Sequence, residues 1–357
     1  LQAAIDASSE GDEIIVLKDI KYTQDDIITV DVYGYTTMVN ATGKNVVLDL
    51  NGHLVEADVK DYSGTLLSII FVGDDGSLTL KDSSVEKTGA VKAIGKEDQA
   101  NVYALIIADT KNTTNIKLYI ESGTYELNKC TDVGALVYVN ISNILTVTGG
   151  NFYLGNAGTL TNNSPWIFNT HSNGINNVIV KGGNYNVSPI QHYGEVVIPV
   201  EFAVTQTSDV TYPYSVVPAV ARIDQTGYAS IADAVNEAND GDEIVVTVSH
   251  TATVPAVVES NLTLNLNGKA ITGDVYPVVR VQNGANVTVT GNGSINNGDY
   301  VFVLGASDGT SVGNLTIENG TFYGATTVAS VTKGNLNITG GEFSVEPYQG
   351  SYEFLIN

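Results

Sequence analysis

Gly73-Asp74-Asp75-Gly76 sets two carboxylates side by side between glycines. Adjacent carboxylates could act as acid and base in glycosidic-bond hydrolysis, or offer hard oxygen ligands to Ca²⁺. Asp74 and Asp75 are therefore candidate Ca²⁺ ligands, with Asp25-Asp26 as a second pair, although neither stretch continues with the regular oxygen spacing of a calcium loop. The simpler reading of both is a turn carrying solvated carboxylates. Chemistry that acts on uronates needs cations against the substrate carboxylate and a basic residue for the α-proton. The chain has only Arg222 and Arg280, and the alternation Val279-Arg280-Val281 puts Arg280 on an outer strand face. The four histidines, His53, His171, His192 and His250, fall in unrelated contexts, and no zinc, serine-triad or phosphate-loop spacing occurs. Cys130, the sole cysteine, reads as a small buried hydrophobe. Trp166, the sole tryptophan, is a candidate sugar-stacking platform, though Ile167 and Phe168 continue an apolar strand and favour a core position. No catalytic residue and no cofactor site is assigned.

The elements that must position these residues are repetitive. Asn143 to Leu154 (NILTVTGGNFYL) alternates Leu145 and Val147 with threonines, turns at Gly149-Gly150 and brings Phe152 inward. Near-copies begin at residues 45, 76, 115, 143 and 176, and again at 261, 285, 312 and 334. Each set follows a short amphipathic helix: Leu1, Ala4 and Ile5 share one face in the first, and Ser230 is the expected N-cap of the second, with Asp233 three residues on. Gly11-Asp12-Glu13-Ile14 coincides with Gly241-Asp242-Glu243-Ile244. The exits also match without a gap, from Pro189 to Ile198 against Pro347 to Ile356.

The expected architecture is all-β: a right-handed parallel β-helix in two tandem units, each opened by a capping helix. The first unit spans 1–204 with about five rungs, 205–223 form a linker or short β element, and the second unit spans 224–357 with about four rungs. Leucine-rich repeats would need a fixed Leu/Asn frame, and a propeller about 40 residues per blade. Phe152, Tyr185 and Tyr125 should stack in one ladder, and Phe322 with Phe343 in another. The exit from Glu195 to Val204 is expected to fold over the last rung as a lid.

Composition narrows the partners. With 16 basic against 39 acidic side chains the formal charge is −23, which repels nucleic acid and anionic membrane surfaces. No run of residues is long and apolar enough to span a bilayer. Eleven Asn-x-Ser/Thr sequons occur, most of them where Asn and Thr fill outward strand positions.

The entry GYASIADAVNEANDGDEIVV, followed by NLTLNLNGKAI and repeated xLxIxGGxF rungs, resembles the parallel β-helix (pectin-lyase-like) repeats of large bacterial and archaeal surface and adhesin-like proteins. The resemblance covers nearly the whole chain. It implies a non-catalytic extracellular module that contacts glycans, other surface proteins or neighbouring repeats. The alternative it leaves open is a polysaccharide lyase or glycoside hydrolase on the same fold. The clustered Arg and Asp of pectate lyases are not matched, and no N-x-D or G-H-G flanks Asp74-Asp75 in the polygalacturonase manner.

Overall fold

A computed structural model describes residues 1–30, 34–96, 101–111, 116–140, 144–155, 166–170, 178–190, 196–347 and 354–357, without the side chains of 130–133. The chain forms two compact units, Leu1–Pro199 with Val204–Val217, and Val200–Ala203 with Pro218–Asn357. Among the described residues it is all-β apart from one 3-10 turn and two short helices, α1 (Gln2–Ala7) and α2 (Ile231–Glu237).

Three sheets hold the strands of the first unit and three others those of the second. The chain visits the sheets of a unit in rotation. In the first unit one circuit runs through Asn45–Asp49, Leu54–Asp58 and Ser68–Val72, and the next through Ser77–Lys81, Ala90–Ile94 and Val102–Ala108. Each strand pairs in parallel with its predecessor one circuit earlier. Going round in one sense forces this, because every return enters a sheet from the same side.

The copies undercount the circuits. Asp12–Ile15 pairs in parallel with Asn45–Asp49, and Ile20–Tyr22 with Leu54–Asp58, so the segment after α1 already belongs to the parallel sheets. The second unit repeats this: Asp242–Val246, His250–Ala252 and Ala256–Val258 each pair in parallel with a strand of the next circuit. These first turns lack the glycine turn of the later copies, and so do not resemble them in sequence.

Alternation decides what faces inward. Val46, Leu78, Leu118, Leu145 and Val178 are register partners on successive strands, and all are buried. In the adjoining sheet Val55, Val91, Tyr125, Phe152 and Tyr185 form the corresponding column. Tyr125 and Phe152 stack with centroids 5.4 Å apart and planes at 21°. Phe322 and Phe343 stack likewise in the second unit, at 5.4 Å and 26°. The expected ladders are present.

The double glycine has two separate causes. A Cβ on Gly149 would lie 2.4 Å from the Glu121 carbonyl oxygen one rung below, so only hydrogen fits. Gly150 has φ +105°, a conformation that L side chains rarely adopt. The turn delivers the aromatic to the core, where its hydroxyl, if it has one, needs a partner. Tyr125 Oη donates to Ser122 O at 2.8 Å and Tyr185 Oη to Gly182 O at 2.7 Å, each within its own turn.

Residues 205–223 take the short β form of the expected junction: Phe202–Gln206 ends there, Tyr214–Pro218 pairs antiparallel with Asn184–Tyr185, and Ala221–Ile223 pairs antiparallel with Asp242–Val246. Part of the expected cover is an added strand: Val196–Val197 extends the first sheet in parallel beyond Val178–Val180, whereas Tyr185, the last ring of the ladder, is paired at its edge by Tyr214 from beyond the exit. The matching exit in the second unit, Phe354–Ile356, extends a different sheet, in parallel with Thr327–Val331. Ser230 caps α2 as expected, its Oγ accepting from Asp233 N at 2.9 Å.

Candidate functional site

The adjacent carboxylates are placed differently from one another. Asp74 Oδ1 accepts hydrogen bonds from Thr110 Oγ1 and, at 3.1 Å, from Lys111 N, which ties the turn to the end of a neighbouring strand. Asp75 is exposed and has φ 59°. Asp26 Oδ2 accepts from Thr23 N at 2.8 Å and closes a capping box around Asp25 and Asp26. Among the described residues no group of three or more His, Cys, Asp and Glu is placed to hold a metal. His53 Nδ1 lies 3.3 Å from Asp19 Oδ1, and His250 Nδ1 lies 3.1 Å from Val248 O; His171 and His192 fall outside the described residues. Nothing is described of the Cys130 side chain. Arg280 is held on the outer face by Gly305 O at 3.1 Å. Trp166 is half-buried at the start of Trp166–Thr170, paired with Ala135, ahead of the buried Ile167 and Phe168.

Two carboxylates on successive rungs do converge on buried ground, yet backbone donors occupy them. Asp82, 1% exposed, accepts from Gly52 N at 2.8 Å, Ser84 N at 3.1 Å and Gly89 N at 2.6 Å. Asp49 Oδ1 accepts from Asn51 N and Ser83 N, each at 2.9 Å. Burial pushes both carboxyls up, but the Ser and backbone hydrogen bonds outweigh it and hold them below the usual carboxylate range. They fasten the corner between two sheets. Three sequon asparagines of the second unit also bond from rung to rung: Asn286 Nδ2 donates to Asn261 Oδ1 at 2.8 Å, and Asn335 Nδ2, outside any sequon, donates to Asn314 Oδ1 at 2.8 Å.

The candidate site lies on the third sheet of the first unit. Register aligns Asn40, Phe71, Ile107, Tyr138 and Asn169 in one column. Phe71, Ile107, Val30 and Ala104 form a satellite apolar cluster packed by Tyr35, Leu67, Tyr103 and Tyr138. Tyr103 and Tyr138 meet edge to face at 5.8 Å, and Tyr35 meets Phe71 edge to face at 5.5 Å. Between these rings is a pocket of about 120 Å³ lined by Tyr35, Leu67, Tyr103, Ile107, Asp109 and Tyr138. Its one carboxylate, Asp109, is 5% exposed and accepts from Tyr35 Oη at 2.7 Å, from Thr110 N at 2.7 Å and from Asn140 Nδ2. Three donors fill three of roughly four acceptor positions on a carboxylate.

The phenols are held neutral. Burial first, then the hydrogen bond to Asp109 and its charge, raise Tyr35 well above the ordinary tyrosine range. Burial, with Tyr103 and Asp109 adding to it, pushes Tyr138 up to about 12. The pocket therefore joins two half-buried rings, the neutral hydroxyls of Tyr35 and Tyr138 and the buried Asp109 carboxylate. It lacks the second carboxylate that glycoside hydrolysis requires among the described residues lining it. None of Tyr35, Tyr103, Tyr138 and Asp109 stands out in the sequence, because they lie on or just after third-sheet strands, outside the repeated stretches. Tyr at positions 35, 103 and 138, spaced like the strands of one sheet, is the signal that could have exposed them. The second unit aligns Arg280, Val303 and Ser330 in an outer column of its third sheet.

No family model, curated protein or solved structure matches the chain.

Proposed function

We propose that the chain is a right-handed parallel β-helix module of an extracellular, adhesin-like surface protein, and that its first unit binds glycans at the tyrosine-walled pocket. The rotation of the chain through three parallel sheets supports the β-helix, and parallel crossovers are right-handed in about 98% of cases. The observation that carries the binding role is the pocket itself: rings of Tyr103 and Tyr138 beside the buried Asp109 carboxylate. A sugar ring presents C–H groups to an aromatic face and hydroxyls at its rim. Tyrosines give the first contact at small entropy cost, and a carboxylate accepts the second. The strongly acidic surface and the lack of a carboxylate pair in the pocket favour holding a neutral saccharide over cleaving an acidic one.

Screening the whole chain against immobilised neutral glycans tests this. At least one glycan should be retained, and Tyr103→Ala and Tyr138→Ala should each weaken it about tenfold or more, a loss of roughly 1.4 kcal/mol. Phe71 lies beneath the pocket, so unchanged thermal unfolding of the variants is the control. Binding that survives both substitutions, or no retention on any glycan, removes the assignment.

A further inference from the structure

The pocket between Tyr35, Tyr103 and Tyr138 is smaller than a sugar ring. Its volume is about 120 Å³. An apolar cavity that takes a single benzene measures roughly 150 Å³, and a pyranose carrying its hydroxyls is bulkier than benzene. Only a substituent can enter, with the ring itself left at the mouth against tyrosine.

The lining selects the substituent. Ile107, 2% exposed, and Asp109, 5% exposed, are its most recessed residues, while Tyr35, Leu67, Tyr103 and Tyr138 are half-buried. Two positions apart in an extended run, Ile107 and Asp109 share one face and set a branched hydrocarbon beside an anion. Asp109 Oδ1 accepts from Thr110 N at 2.7 Å and from Asn140 Nδ2, whereas Oδ2 accepts, among the described residues, from Tyr35 Oη alone. An ionised carboxylate can only accept. The entering group must therefore bring a donor for Oδ2 and a small apolar part for Ile107 and Leu67. An acetamido group carries both, an N–H and a methyl on either side of one carbonyl carbon. The neutral Tyr138 hydroxyl, on the same lining, is a donor for its carbonyl oxygen.

Other substituents satisfy one half of the pocket. A hydroxyl donates to Oδ2 but leaves Ile107 and Leu67 facing water. An O-acetyl group fills the apolar end but has no N–H and turns an ester oxygen toward the carboxylate. An ammonium brings donors without the methyl, and three donors already meet the Asp109 charge, so the lost hydration of the cation is only partly offset.

We propose that the pocket is an acetamido subsite, which takes the acetamido group of an N-acetylhexosamine with its methyl toward Ile107 and Leu67 and its N–H toward Asp109, while the pyranose ring lies outside on tyrosine. This rests on the glycan reading of the same pocket and narrows it from neutral saccharides at large to N-acetylated ones.

The probes are methyl glycosides of the gluco and galacto series, each with a hydroxyl, an acetamido or an ammonium group on the second ring carbon. Titration of the whole chain, followed by NMR, should show the acetamido form of at least one series binding about tenfold tighter than its hydroxyl and ammonium counterparts. Saturation transfer from the protein should be strongest at the acetyl methyl protons. Leu67→Trp fills the pocket from a half-buried wall, and with thermal unfolding unchanged it should abolish the acetamido preference. Equal binding of a hydroxyl form, tightest binding of an ammonium form, saturation strongest on ring protons, or a preference that survives Leu67→Trp overturns the subsite and leaves a glycan at the pocket. Failure of both acetamido forms to bind also overturns it, and retention on the immobilised glycans then decides whether the glycan reading falls with it.

Discussion

Phe152 lies on Tyr185 with ring centroids 4.9 Å apart and planes only 10° from parallel. Phe168, from the third sheet, meets both edge to face at 5.9 and 6.0 Å. Two sheets are thus joined through one aromatic cluster, and every ring in it is 0% exposed. Phe152→Ala should therefore cost about 3–5 kcal/mol, at the top of the range for a buried aromatic, because the rings above and below are fixed by their own rungs and cannot collapse inward. Urea unfolding followed by far-UV circular dichroism measures it. A loss below about 1 kcal/mol would mean that the cluster is not a packed core.

Tyr125 and Tyr185 bring buried hydroxyls into this core, and burial raises both above the ordinary tyrosine range. An acid whose folded-state pKa exceeds the unfolded value contributes stability below the unfolded pKa, about 10 for tyrosine, and loses it as pH rises further. Stability should be flat through neutral pH on their account and fall above about pH 10. Tyr185→Phe should lose about 1 kcal/mol at pH 7 with the bond to Gly182 O, and its alkaline limb should be shallower than that of the parent chain. Urea midpoints between pH 8 and 11.5 provide the comparison.

Asp82 sets the opposite limb. Its carboxyl is held low by Ser84 and the backbone amides of Gly89 and Gly52 despite its burial, so its contribution is present above the unfolded value near 3.9 and lost as pH falls through the lower folded value. Asp82→Asn turns an NH₂ toward one of these N–H donors. It should destabilise by about 1–3 kcal/mol at pH 7, with a smaller difference from the parent near pH 2. Equal differences at both pH values would show that the carboxylate charge is not what the corner uses.

The inward phase of the strands was legible because Leu145, Val147 and Phe152 recur with their glycine turn, and burial acts on side-chain type alone. The ladder followed from spacing: identical slots on successive rungs must be register partners. The first circuit of each unit was not legible, since Asp12–Ile15 and Asp242–Val246 join the parallel sheets by pairing rather than by the repeated motif. The exits misled for a related reason. Their sequences match, but Val196–Val197 and Phe354–Ile356 join different sheets, and an identical strand can fill whichever edge is open. The pocket at Asp109 brings in Tyr35 from 74 positions upstream, and no local pattern links Tyr35, Tyr103 and Tyr138 to it.

The glycine pairs give a sharper test of rung spacing. A Cβ on Gly149 would be 2.4 Å from Glu121 O, and one on Gly182 would be 2.2 Å from Thr148 O. Both obstacles are backbone, which cannot swing aside. Gly149→Ala and Gly182→Ala should each destabilise by about 1–3 kcal/mol through forced separation of adjacent rungs. At Gly11, where nothing lies within 4 Å, the alanine variant meets only the cost of φ +82° and should lose about 1–2 kcal/mol. Thermal unfolding of the three variants orders them; a Gly11 variant as damaged as Gly182→Ala would show that the rung contact costs no more than a left-handed φ.

The two ladders end differently, and the difference predicts unequal sensitivity. Tyr185 is fully buried beside the antiparallel strand Tyr214–Pro218. Phe343 is only half-buried on Glu342–Val345, the last strand of its sheet among the described residues, and Ile338 beside it is 40% exposed. Substitution cost scales with the area removed from water and with the cavity left, and Phe343 has less of both. Tyr185→Ala should therefore cost about 3–5 kcal/mol, and Phe343→Ala about 1–2 kcal/mol. Phe322→Ala, one rung further in and 0% exposed, should return to the larger value. Limited proteolysis read by mass spectrometry locates the damage: cleavage in 334–347 should rise for Phe343→Ala while 178–187 stays protected. If Phe343→Ala proves as costly as Phe322→Ala, then Phe343 must be covered in solution, and the cover would have to be a strand laid along Glu342–Val345 as Tyr214–Pro218 is laid along Asn184–Tyr185.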